Sequence, residues 1–127
     1  MSSSACVLVV DDNLVNLKLA SNVLESEGYT VFKAGDAEQA LQTIRHASPD
    51  LILMDLALPG MDGLTLTRKI KSDPAMRHIL IVALTAFAMK GDDQKAFDAG
   101  CDGYIAKPVD TRKLPLQVAE ILRRVKK

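Results

Sequence analysis

The chain has 127 residues, 48% hydrophobic and 25% charged, with 16 basic residues against 16 acidic and two Tyr, three Phe and no Trp. That length gives one domain over residues 1–127 with a core of its own, and the composition excludes disorder. The charge balance and sparse aromatics exclude a basic, base-stacking nucleic-acid surface, and no apolar run approaches the roughly 20 residues of a membrane span.

The opening MSSSA has neither a basic segment nor an apolar signal core, so a cytoplasmic protein is expected. Cys6 and Cys101 stand far apart and match no metal or redox spacing, so both are expected to be reduced.

Along the chain, short apolar runs alternate with amphipathic stretches about five times. The first strand is predicted near 6–10 and the first helix near 14–27. Asn13 is placed to cap that helix, Leu17, Ala20 and Leu24 line one face, and Gly28 ends it. A strand near 30–34 and a helix near 36–46 follow. Asp36 with Gln39 reads as a capping box, and Ala37, Ala40, Leu41 and Ile44 form the inner face. The third pair is predicted near 50–55 and 63–72, and the fourth near 79–84 and 88–99. The fifth strand falls near 103–106. Pro115 cannot sit in a helix interior, so a short turn precedes a final helix over 114–125.

Runs this short and this apolar read as parallel strands buried on both faces. Right-handed crossovers leave few topologies for five such units. The one that fits is an α/β, flavodoxin-like, doubly wound sheet of five parallel strands in the order 2-1-3-4-5, flanked by five helices, with its switch point between strands one and three.

Four polar sites lie at the ends of these runs. Asp11 and Asp12 follow CVLVV, Asp55 follows LILM, Thr85 follows ILIVAL and Lys107 follows GYIA. Ligands of open α/β sheets bind off the carboxyl ends of the strands, so the fold would gather three carboxylates, a hydroxyl and an ammonium at one edge. Converging carboxylates repel, and a proton or cation must relieve them. Oxygen donors with few protein ligands suit Mg²⁺ or Mn²⁺ better than Ca²⁺, and no His or Cys falls at these strand ends, which argues against zinc. An Asp carboxylate can attack phosphorus when a metal and a fixed cation neutralise the incoming charge. Lys107 would supply that cation and Thr85 a donor to a phosphoryl oxygen.

The segments VLVVDD, LILMDLALPGMDG, ALTA and GYIAKP, in this order, resemble the CheY-like receiver domain of two-component response regulators over essentially the whole chain. The stretch from Thr85 to Pro108 also resembles single-domain receivers of the DivK type. The resemblance implies that Asp55 accepts a phosphoryl group from the phosphohistidine of a histidine kinase or histidine phosphotransfer protein. Asp11, Asp12, Asp55 and the backbone carbonyl of Ala57 would hold Mg²⁺, while Thr85 and Lys107 would bind phosphoryl oxygens. Tyr104 would be a switch acting with Thr85, and the Lys107–Pro108 peptide bond would be cis.

Such a chain would be a phosphoacceptor rather than an enzyme with an external substrate. It would act by remodelling the fourth helix, fifth strand and fifth helix for a downstream protein effector, with no direct contact to nucleic acid or membrane. The alternative is a receiver segment excised from a hybrid histidine kinase or longer regulator. Ala57 and Phe87, where many receivers carry polar groups, cannot orient an attacking water, which predicts a long-lived phosphorylated state. Gly60 and Gly63 read as shaping the PGMDG turn.

A phosphohydrolase is disfavoured because Ala57 stands where a second acid would be needed, and an FMN carrier because Asp11, Asp12 and Asn13 replace a phosphate loop. The absence of a G-x-x-x-x-G-K-[ST] loop argues against nucleotide binding.

Overall fold

A computed structural model of the protein describes residues 5–56, 58, 60–61, 63–85, 92–106 and 109–125. Five strands alternate with five helices: β1 (Cys6–Val10), α1 (Leu14–Ser26), β2 (Thr30–Ala34), α2 (Ala37–Ala47), β3 (Leu51–Asp55), α3 (Gly63–Ser72), β4 (Leu80–Thr85), α4 (Asp92–Ala99), β5 (Gly103–Ala106) and α5 (Leu114–Val125). All strand pairs are parallel and the order is β2-β1-β3-β4-β5.

The period-two geometry of each strand divides its apolar run between the two faces of the sheet. Leu8, Val10, Ile52, Met54, Ile81 and Ala83 pack on one side with α2, α3 and α4 through Ala40, Ile44, Leu66, Ile70 and Ala96. Val7, Val9, Leu51, Leu53, Val82 and Leu84 pack on the other with α1 and α5 through Leu17, Leu24, Leu114 and Val118. Both faces are covered, which is why β1, β3 and β4 are continuously apolar rather than alternating.

Helix ends follow local chemistry. The Asn13 side chain accepts from the Val15 and Asn16 amides, and Gly28 takes a φ of 95° just past the end of α1. The Asp36 carboxylate accepts from the Gln39 amide at 2.8 Å. Its expected partner bond differs: the Gln39 side chain accepts from the Gly35 amide at 2.9 Å, one residue before the cap. The chain turns at 111–113 and α5 starts at Leu114, so Pro115 sits in the first turn, where no amide is missed.

The expected boundaries hold to within about a residue, with one shift that matters. β4 runs one residue further than the apolar run suggests, because Thr85 pairs with Ala106 and extends the ladder. The predicted start of the fourth helix, at 88–91, lies outside the described residues.

Candidate functional site

The register of the sheet builds the site. Val10 of β1 pairs with Met54 of β3, so Asp11 and Asp55 are the next residues on two neighbouring strands. The Asp11 amide donates to the Ala34 carbonyl at 3.1 Å, holding the first residue past β1 against the end of β2. One Asp11 carboxylate oxygen accepts from the Asn13 amide at 2.9 Å, a local turn that leads into the α1 cap. Asp55 closes β3 and pairs with Leu84, and the Leu56 amide donates to the Leu84 carbonyl at 3.1 Å.

Asp11 and Asp55 are buried, at 2% and 4% exposure, whereas Asp12 is exposed. Oxygens of all three carboxylates lie within 4.8 Å of one another. Three negative charges at that spacing, two of them shielded from water, form a strong trap for a small cation. Every donor is a carboxylate oxygen and the protein supplies few of them, with an open side at Asp12 for water. That donor set fits Mg²⁺ or Mn²⁺.

Thr85, the last residue of β4, is buried beside this edge, one strand over from Asp55. Tyr104 is the second residue of β5, paired with Ala83, half-buried and packed on the face that carries α2, α3 and α4. Ala57, Phe87, Lys107 and Pro108 lie outside the described residues, and with them the expected carbonyl ligand, phosphoryl cation and cis bond. The structure therefore joins Asp11, Asp12 and Asp55 in one cluster and lines Thr85 up along the same edge.

Several features were not legible in the sequence. Leu14 and Val15, at the start of α1 beside the acidic cluster, are 76% and 74% exposed. Val15 falls off the Leu17–Ala20–Leu24 stripe, and that was the available signal. A second missed group lies along α3. The Thr67 hydroxyl donates to the Gly63 carbonyl at 2.7 Å and receives the Cys101 thiol at 3.9 Å. Burial pushes the Cys101 thiol up from its ordinary value, with the nearby Asp102 adding to the rise and the Thr67 hydrogen bond and Lys71 opposing it. Cys101 is thus a protonated packing residue, and Cys6, also raised by burial and by Asp50, is no more nucleophilic.

Comparison with known proteins points one way. A sequence model described as the response regulator receiver domain matches residues 7–119. The chain is 44% identical over 103 residues to the polar-differentiation response regulator DivK of Brucella anthropi, covering 81% of this chain and 84% of that one. A CheY-like response regulator receiver domain protein of Methanospirillum hungatei superposes with a TM-score of 0.87 at 32% identity, over 96% of each chain. The chemotaxis response regulator CheY4 of Vibrio cholerae superposes with a TM-score of 0.88 at 26% identity, over 94% of this chain and 99% of that one. No described helix is long and apolar enough to cross a membrane.

Proposed function

Since this chain belongs to the response regulator receiver domain family, and so works in two-component signalling opposite a histidine kinase rather than as a classical enzyme, we propose that Asp55 is its phosphoacceptor. The observation that carries this reading is the approach of the Asp11, Asp12 and Asp55 carboxylates to within 4.8 Å at the end of β1 and β3.

In the transfer, a carboxylate oxygen of Asp55 attacks the phosphorus of a phosphohistidine. The P–N bond breaks as the O–P bond forms, and the imidazole leaves with its electron pair and takes up a proton. Mg²⁺, which Asp11, Asp12, Asp55 and the Ala57 carbonyl would hold, would supply the charge neutralisation that lets two anions meet. Asp11 holds its carboxylate in place through the Asn13 amide, so little reorganisation is needed on binding. The Thr85 hydroxyl donates to a phosphoryl oxygen and the Lys107 ammonium balances its charge.

The same hydroxyl makes the domain a switch. Once Thr85 is drawn toward the phosphoryl group, the space it leaves admits Tyr104 from the half-buried position next along the sheet. That motion alters the surface of α4, β5 and α5, where a downstream protein binds. Leu14 and Val15 offer an apolar landing beside the acceptor for the donor protein.

Mg²⁺-dependent labelling by acetyl phosphate, compared between wild type and Asp55→Asn, tests the assignment. Wild type should label and the variant should not; a variant that labels like wild type moves the acceptor elsewhere.

A further inference from the structure

We infer that Gly63 is a positioning residue for Asp55: its missing side chain lets the first turn of α3 rest on the peptide that carries the acceptor, and this contact fixes the acceptor carboxylate. The inference rests on the reading of Asp55 as phosphoacceptor.

A Cβ at position 63 would lie 2.6 Å from the Asp55 carbonyl oxygen and 2.7 Å from the Leu56 Cα, with the Leu56 Cδ2 at 3.0 Å. The two closest atoms are backbone and cannot swing aside as a side-chain tip can. Gly63 is absent from the positive-φ residues, so its requirement is for space and not for backbone freedom.

Neither partner in this contact has slack. The Leu56 amide is bonded to the Leu84 carbonyl at 3.1 Å, which ties the acceptor peptide to β4. The Gly63 amide donates to the Leu56 carbonyl at 3.1 Å and closes the base of the loop between β3 and α3. Behind it, Leu66, Thr67 and Ile70 are fully buried, and the Thr67 hydroxyl bonds the Gly63 carbonyl. A methyl group wedged between two held elements must displace one of them by several tenths of an ångström. α3 is anchored by a whole buried face, so the single peptide at the end of β3 is the part that yields. Misplacement of a reacting group by about 1 Å costs on the order of a hundredfold in rate.

The test compares wild type, Gly63→Ala and Ile70→Ala, the last a buried α3 change that leaves the acceptor peptide untouched. Mg²⁺ affinity is measured by calorimetric titration and labelling rate with acetyl phosphate. Gly63→Ala should label about tenfold more slowly or worse, with several-fold weaker Mg²⁺ uptake. Ile70→Ala should lose thermal stability yet keep both properties within about twofold. Equal losses in the two variants, or wild-type labelling by Gly63→Ala, overturn the inference. If Gly63→Ala does not fold, the wild-type protein decides. On Mg²⁺ titration the Gly63 amide resonance should shift with the same midpoint as Leu56, and an unmoved Gly63 signal overturns the contact. A wild type that takes up neither Mg²⁺ nor label overturns the Asp55 reading and this inference with it; wild-type labelling alongside an unimpaired Gly63→Ala overturns the inference alone.

Discussion

The Lys71 ammonium at the end of α3 lies 2.9 Å from the Asp102 carboxylate at the corner between α4 and β5. It also donates to the carbonyls of Ile79 at 2.7 Å and Arg77 at 3.2 Å, while the same Asp102 oxygen accepts from the Ile81 amide at 2.9 Å. One cation thus gathers α3, the loop before β4 and the entrance to β5. With side chains 20% and 32% exposed, the pair is better shielded than a surface ion pair. Lys71→Met keeps the aliphatic stem but removes the donor to two carbonyls and the charge partner of Asp102, and should cost about 1–3 kcal/mol in urea unfolding. An unchanged midpoint would show that water replaces the ammonium without loss.

Ser21 presents the opposite case. Its side chain is fully buried in α1, and its hydroxyl finds no hydrogen-bond partner among the described residues. Ser21→Ala removes an unsatisfied donor and raises helix propensity, and should stabilise the protein by about 1–2 kcal/mol. A loss of stability on chemical denaturation would mean that the hydroxyl is satisfied after all.

Repulsion among the three carboxylates predicts opposite effects with and without metal. Asp12→Asn removes the exposed member, which should raise metal-free stability by up to about 1 kcal/mol while weakening Mg²⁺ uptake. In wild type, Mg²⁺ at a hundredfold excess over its Kd should add about 2.7 kcal/mol of stability. Thermal melts of both proteins with Mg²⁺ and with EDTA provide the check; equal metal stabilisation in the two would remove Asp12 from the ligand set.

The lifetime of the phosphorylated form is the fourth expectation. Ala57 offers no hydrogen bond to an attacking water, so the acyl phosphate should decay slowly, and Ala57→Asn should speed decay by about tenfold or more. Phosphate release from labelled protein measures this directly. An identical time course in the two proteins would assign the lifetime to other residues.

Much of this architecture was legible because burial on both faces of the sheet leaves an unambiguous trace. The runs VLVV, LILM and LIVAL are too short for typical helices and too apolar for half-exposed strands, so their assignment as central strands followed directly. β2 is the harder case, since only Ala34 of its five residues is buried, and its bounds follow from the helix end at Gly28 and the helix cap at Asp36 on either side. β4 ends one residue beyond its apolar run: Thr85 looks like the start of a loop, and its place in the ladder depends on Ala106 more than twenty positions away. In the sequence Gly63 looks like a turn glycine, since the pattern of residues cannot reveal that the Asp55 carbonyl occupies the space where its side chain would be.

By itself, the amino-acid sequence determined the alternation of strand and helix, the caps at Asn13 and Asp36, and the placing of Asp11, Asp12, Asp55 and Thr85 at strand ends. These are properties of neighbours, set by propensity, periodicity and burial within a dozen residues. Tertiary structure alone decided that three carboxylates come within 4.8 Å, that α3 rests on the Asp55–Leu56 peptide, and that Lys71 reaches Asp102. The first and last of these join residues tens of positions apart, the second residues eight apart, and all emerge only when two packed faces of one sheet fix strands and helices against one another.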